Sequence, residues 1–288
     1  MFHPSEFERA LLAQGYTPRL PEVVAVAAAL RQGPGQGLPA VLVEGLPGTG
    51  KSFLAEAVAS ATGRRLIVYQ AHAWTDADEL FVGVDVASAV AGEAATVRQD
   101  GVLALAARAS HESGGCVLLL DEIDKGQERA EALLLDWLQS GRVPVAPGRH
   151  LTTRPEGCLV LVTSNAAREL SEALLRRCTR VWMDPLPVPV QVRLLAERSG
   201  LPEGMVRALW VVAREAAQAD GRALTLQEGH QLLAALGLCE SADQLRALLA
   251  VKAASGPKGR AAIAKDGRVP ALWGGLRLAL AGCARRAA

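Results

Sequence analysis

The sequence predicts an α/β fold, a mostly parallel sheet with helices on both faces, followed by a smaller all-α domain. Three observations lead there. Short apolar runs at Ala40-Val41-Leu42-Val43, Val117-Leu118-Leu119-Leu120 and Leu159-Val160-Leu161-Val162 read as buried strands of a parallel sheet, and Leu66-Ile67-Val68 as the centre of another strand. Segments of helical period alternate with them up to about Asp184. Beyond Pro185-Leu186-Pro187-Val188-Pro189 only helical periods follow. A chain of 288 residues suits two domains of unequal size. We draw them as a core over 1–184 that includes the N-terminal helices over 1–32, a helical lid over 185–255, and a C-terminal tail over 256–288 that is expected to be helical.

The elements follow in order. The segment to Gln32 reads as helical, with Pro21 opening a second helix over Glu22 to Leu30. Gly33 to Gly37 is a turn or linker, Ala40 to Val43 a strand, and Lys51 to Ala61 a helix with Phe53, Leu54, Ala57, Val58 and Ala61 at helical spacing. Arg65 to Gln70 is the next strand, Asp76 to Phe81 a short helix, and Val82 to Arg98 an inserted hairpin around Gly83 and Gly92. Helix resumes over Val102 to Ala109. A strand from Cys116 stops at two acids, a helix covers Glu128 to Leu138, and Val143 to Leu151 is a turn-rich β segment around Pro147-Gly148. The later helices are expected at 190–197, 202–219, 226–236 and 242–254, with a break at Gly256-Pro257-Lys258-Gly259 and a final helical pattern from Pro270 to Ala284.

Composition excludes several classes. Half of the residues are hydrophobic and 21% are charged, a globular balance. With 31 basic residues against 30 acidic ones, no global field draws the chain to nucleic acid or an anionic membrane. No uncharged apolar run reaches the roughly 18 residues that span a bilayer. The five cysteines stand at irregular intervals without a metal-knuckle or redox spacing. We expect buried, reduced thiols and a cytoplasmic location, since the first thirty residues carry Glu6, Glu8, Arg9 and Arg19 and do not read as a secretory leader.

The strongest motif is Gly45-Leu46-Pro47-Gly48-Thr49-Gly50-Lys51-Ser52, a complete phosphate-binding loop between a strand and a helix. Its glycines let backbone N–H groups turn toward phosphate oxygens, and the helix that follows directs its positive end at the same anion. Lys51 is expected on the β- and γ-phosphates and the Ser52 hydroxyl on magnesium. The second motif is Leu118-Leu119-Leu120-Asp121-Glu122, which brings two carboxylates to the C-terminal end of a strand, where ligands of parallel sheets bind. Asp121 is positioned to hold magnesium, and Glu122 to polarise an attacking water. Asp124 and Lys125 read either as a helix cap with a solvated charge or as a subunit contact.

Two further segments complete the set. In Thr163-Ser164-Asn165, at the end of the next core strand, Asn165 would orient the water or sense the γ-phosphate. Leu170 to Cys178 reads as a helix that ends on Arg176-Arg177. An always-charged guanidinium there would stabilise phosphate charge on a neighbouring copy, while the bland alternative is a favourable helix-end charge.

Together these four motifs resemble the AAA+ ATPases. The phrasing Val117 to Lys125, followed by Ala132-Leu133-Leu134, resembles the MoxR and dynein-related branch; so does Asp78-Glu79-Leu80-Phe81-Val82-Gly83, at the start of that branch's second-helix insertion. Val143 to Leu151 stands where the branch carries a pre-sensor hairpin. The resemblance implies a ring-forming, commonly hexameric ATPase that takes ATP and Mg2+ and remodels protein partners or assists metal-cofactor insertion, in several cases with a von Willebrand factor A domain protein. It implies nucleotide contacts from Gly45, Pro47, Gly48, Thr49, Gly50, Lys51 and Ser52, magnesium at Ser52 and Asp121, hydrolysis by Glu122, sensing by Asn165, and an arginine finger at Arg176 or Arg177. The sequence departs from the pattern in the lid, where Gln227 aligns with the family's sensor arginine and Arg222 is the nearby substitute; at Cys178 the family usually carries an aromatic residue.

Two rivals remain at this level. One is a nucleotide-gated assembly adaptor in which hydrolysis only resets the ring. The other is a DNA translocase or helicase loader, against which the balanced charge and the lack of a separate DNA-binding motif both weigh.

Overall fold

The structure is a computed structural model, and it describes residues 3–33, 35–75, 80–84, 98–146 and 148–287. The chain divides into two compact units, Met1–Asp184 and Pro185–Ala288.

In the first unit, helices α1 (Pro4–Ala13) and α2 (Leu20–Ala29) precede strand β1 (Ala40–Glu44), helix α3 (Lys51–Thr62) and strand β2 (Arg65–Gln70). Strands β3 (Val82–Val84) and β4 (Arg98–Asp100) pair antiparallel. They are the two arms of the inserted hairpin; its tip, and Asp76 to Glu79 of the short helix before it, lie outside the described residues. Helix α4 (Val102–Ala109), strand β5 (Cys116–Asp121), a 3-10 turn (Ile123–Lys125) and helix α5 (Glu128–Ser140) come next. Strands β6 (Arg142–Ala146) and β7 (Arg149–Thr152) form a second small hairpin, and β8 (Cys158–Ser164), α6 (Glu172–Arg177) and β9 (Thr179–Trp182) close the unit. Helix α6 begins two residues later than Leu170, because Ser171 caps it by accepting from the Leu174 N–H.

The main sheet has five strands in the order β2-β5-β8-β1-β9. Every neighbouring pair is parallel. The uninterrupted apolar runs now have their reason. Leu42, Leu118, Leu120, Val160 and Val162 face a core completed by Leu103 of α4 and Leu134, Trp137 and Leu138 of α5. Their alternates Val41, Val43, Val117, Leu119, Leu159 and Leu161 face Phe7, Leu11, Val23, Val26, Leu54 and Val58 from α1, α2 and α3. Side chains alternate along a strand, so a sheet covered on both faces needs apolar residues at every position. Strand β9 escaped the sequence pattern. It is a four-residue edge strand in which only Val181 is buried.

The second unit is all-α: α7 (Val188–Ser199), α8 (Glu203–Ala219), α9 (Leu226–Ala234), α10 (Ala242–Lys252), α11 (Pro257–Lys265) and α12 (Val269–Ala287). Two expectations are corrected. Gly256-Pro257 is not a break but a helix start, with Gly256 at the cap and Pro257 in the first turn, where its missing N–H costs nothing. The segment set apart as a tail shares one core with the rest of the unit, because Ile263, Val269 and Leu276 pack with Trp210, Leu245 and Leu249. Asp220 ties α11 to the end of α8: its carboxylate accepts the backbone N–H groups of Ser255, Gly256 and Gly259 at 2.9, 2.6 and 2.8 Å.

Among the described residues, no helix is long and apolar enough to cross a membrane. The four described cysteines, Cys116, Cys158, Cys178 and Cys239, are free thiols. Burial pushes the Cys178 thiol up to about 12.

Candidate nucleotide site

The phosphate loop, Gln70, Asp121, Glu122 and Asn165 stand where strands of the main sheet end or just beyond. The loop after β1 runs from Gly45 into α3. At Gly45 (φ +157°) an added Cβ would stand 2.4 Å from the Met183 carbonyl oxygen, and at Gly50, the cap of α3, the backbone is left-handed at φ +100°. Glycine alone takes such positions without strain. The loop therefore turns tightly enough to direct backbone N–H groups inward at the N-terminus of a twelve-residue helix.

Lys51 is buried inside this turn, where its ammonium donates to the Gly45 and Leu46 carbonyls at 2.7 and 2.9 Å. Burial lowers its pKa, opposed by the negative charges of Asp121, Asp124 and Glu122. Thr49 is also buried, its hydroxyl donating to the Leu46 carbonyl at 2.9 Å. Beside it the Ser52 hydroxyl donates to Asp121 Oδ2 at 2.8 Å. Thr163 donates to Asp121 Oδ1 and accepts from the Glu122 N–H at 2.8 Å, which locks the carboxylate in place. A hydroxyl and a carboxylate at this separation are hard oxygen donors of the kind magnesium takes, and two protein ligands are its usual share beside phosphate oxygens and water. Among the described residues there is no group of three or more His, Cys, Asp or Glu side chains built to hold a metal by themselves.

Glu122 is one of two non-glycine residues with positive φ among the described residues, at +54°, a strained conformation of the kind that gathers at functional sites. Its carboxylate is gripped by three donors. Lys125 Nζ and Gln70 Nε2 approach Oε2 at 2.5 and 2.7 Å, and Asn165 Nδ2 approaches Oε1 at 2.7 Å. The Lys125 contact, above all, holds the carboxyl below its ordinary pKa, with Asn165 and Gln70 adding to the effect. Gln70, Asp121 and Asn165 come together because β2, β5 and β8 are neighbours, with Gln70 level with Asp121.

Asp124 is neither a solvated cap nor a surface contact. It is 4% exposed, and its carboxylate accepts the N–H groups of Asn165 and Ala167 at 3.3 and 2.9 Å. It shapes the loop after β8, in which Ala166 is the other described non-glycine residue with positive φ. Arg168 follows, contacting Asp124, Gly126 and Glu131.

The two arginines at the end of α6 differ. Arg177 is partly buried and donates to the Leu38 and Leu138 carbonyls, both at 2.7 Å. Burial lowers its pKa. Arg176 is 81% exposed, with an equally exposed partner in Glu172 one turn back. In the second unit Arg222 pairs with Glu228 at 2.7 Å and donates to the Ala253 carbonyl at 2.9 Å, while Gln227 is exposed.

Sequence reasoning did not assign four residues to the site, although it noted Asp124 as a cap or contact. Gln70, Asp124 and Arg168 act across strand neighbours or turns that linear spacing does not reveal. The fourth, Arg19, donates to the Thr49 carbonyl at 3.3 Å and to the Asp184 carbonyl, and is paired with the buried Glu22. The one sequence signal it carried was its place just before the first turn of α2.

With this geometry in hand, the comparison with known families is decisive. The family described as AAA domain (dynein-related subfamily) matches residues 40–178. This stretch is an AAA domain of the dynein-related subfamily. It runs from β1 through Cys178, so it holds the phosphate loop, the Asp121-Glu122 strand end, Asn165 and α6. An AAA domain is a nucleotide-binding ATPase domain, and the five-stranded parallel sheet followed by an all-α unit is the architecture expected of such a core. No curated protein matches the chain.

Proposed function

We propose that this AAA protein hydrolyses ATP with magnesium at sites completed between copies of itself in a ring of MoxR-like type, and uses the cycle to remodel or activate a protein partner. The observation that carries the reading is the 2.8 Å hydrogen bond from Ser52 to Asp121, which joins the phosphate loop to the acidic strand end in the AAA domain. Magnesium, when bound, supplies charge neutralisation at the phosphates. Lys51 contributes a buried positive charge to the triphosphate, and the backbone of Gly48 to Gly50 contributes N–H donors. Glu122 accepts a hydrogen bond from the attacking water, and Asn165 holds its carboxylate in orientation. Between the two candidate fingers, exposure favours Arg176, since Arg177 already serves two carbonyls of its own chain. Arg222, engaged with Glu228, is the weaker candidate for a nucleotide contact.

The test is phosphate release measured against protein concentration. The rate per chain should rise with concentration, vanish in Lys51→Ala, and fall sharply in Arg176→Ala. A rate that is independent of concentration and indifferent to both substitutions would remove the proposal.

The adaptor reading draws support from the three donors on Glu122, a grip that favours slow turnover. A Glu122→Gln variant that binds ATP, assembles and still activates its partner would favour it over the remodelling cycle.

A further inference from the structure

We propose that Arg168 is a positioning residue that mounts the Asn165 loop and helix α6 on one bridge, so that a chain's own Glu122 and the arginine it offers a neighbour are set together. This rests on the reading above, in which Arg176 acts on the nucleotide of an adjacent copy.

The contacts run without a gap. Asn165 reaches Glu122 through its side chain and Asp124 through its backbone N–H. The Arg168 guanidinium, 27% exposed, donates from Nε to the Asp124 carbonyl at 3.3 Å and from Nη2 to the Gly126 carbonyl at 2.9 Å. From Nη1 it donates to the carbonyl of the next residue, Glu169, at 3.1 Å and pairs with Glu131. Glu131 lies on α5, is 2% exposed, and accepts the Ser171 N–H at 3.0 Å on its other oxygen. Ser171 caps α6, which carries Arg176 on its last turn.

Two features separate this bridge from an ordinary surface ion pair. The carboxylate is buried, so its two acceptor oxygens need partners, and it has one from each side: Arg168 and the start of α6. The guanidinium uses the spread of its planar fork to reach three carbonyl acceptors and the Glu131 carboxylate as an ion pair, in different directions, which a lysine ammonium on a flexible stem does not reproduce. A shift of the Asn165 loop therefore moves Arg168, and through Glu131 it moves the origin of a helix only six residues long.

The measurement is rescue between mixed subunits. The recipient is Arg176→Ala, which keeps a complete phosphate loop and Glu122 but offers no finger. The donor is Glu122→Gln, which keeps Arg176 but does not hydrolyse. Mixing should raise phosphate release above the sum of the two alone. Adding Arg168→Ala to the donor should cut that rise roughly 3- to 30-fold, with Arg168→Lys intermediate. Glu131→Gln in the donor, which keeps an acceptor for Ser171 but loses the ion pair, should also reduce it. Far-UV circular dichroism and light scattering check that each donor folds and assembles. Full rescue by a folded, assembled donor carrying Arg168→Ala would overturn the inference, confining Arg168 to its own site. If the donor with Arg168 intact gives no rescue, the finger reading itself fails and the inference falls with it.

Discussion

Ser52 and Asp121, 69 residues apart in the chain, are joined hydroxyl to carboxylate at 2.8 Å. Strands β1 and β5 are not neighbours in the sheet; β8 lies between them, and its Thr163 fixes the second oxygen of Asp121. The phosphate loop and the acidic strand end thus meet over the strand that separates them. Replacing Ser52 by Ala removes one of the two oxygens suited to magnesium. The magnesium concentration needed for half-maximal nucleotide binding should rise about tenfold or more, while the unfolding midpoint changes little. Titration of a fluorescent ATP analogue at fixed nucleotide and varied magnesium measures it.

The adjacent arginines of α6 should separate cleanly. Arg177→Ala leaves the Leu38 and Leu138 carbonyls without their charged donor and should cost about 2 kcal/mol of stability, read by urea denaturation. Arg176→Ala, a change at an exposed site, should stay within about 0.5 kcal/mol yet lower phosphate release by about a thousandfold in the assembled protein. Equal loss of stability from both variants would contradict the division of roles.

Helix α9 carries a glycine that helix propensity alone would replace. Gly229→Ala gains roughly 1 kcal/mol in propensity, but the added Cβ would stand 2.6 Å from the Trp210 ring and 3.0 Å from Leu195. Overpacking of this kind costs about 1–3 kcal/mol. The substitution should therefore fail to stabilise the second unit, and a higher thermal midpoint would show that α8 and α9 are packed more loosely than described.

The Asp220 carboxylate is held below its ordinary pKa by the backbone N–H of Gly259 first, then those of Gly256 and Ser255. A lowered folded-state pKa means that the ionised form favours the native state. The contribution is complete above the unfolded-state value of about 4 and is lost as pH falls through the lower folded value. Wild type should lose more stability than Asp220→Asn between about pH 5 and pH 2. Denaturation series at stepped pH check this, and parallel pH profiles would exclude the role.

Much of the first unit was legible because its physics is local. A strand covered on both faces must be apolar at every position, so β1, β5 and β8 announce themselves, and a glycine-rich turn between strand and helix needs no tertiary information to be read. What escaped is what depends on neighbours. Strand β9 has a single buried side chain, Val181, and carries no pattern of its own. Pro257 reads as a break until Asp220, at the end of α8, is seen holding the N–H groups beside it. Gln70 becomes part of the site only because β2 and β5 are paired in register, and Asp124 reads as a surface charge until the loop after β8 folds over it.

The account stands or falls on whether the turn from Gly45 to Ser52 takes a triphosphate. Isothermal titration calorimetry of the full chain with ATP and magnesium should give saturable heat near one nucleotide per chain, abolished in a Lys51→Ala variant whose unfolding curve still shows a cooperative native state. Absence of binding by the folded wild type, or identical binding by the Lys51→Ala variant, would contradict it.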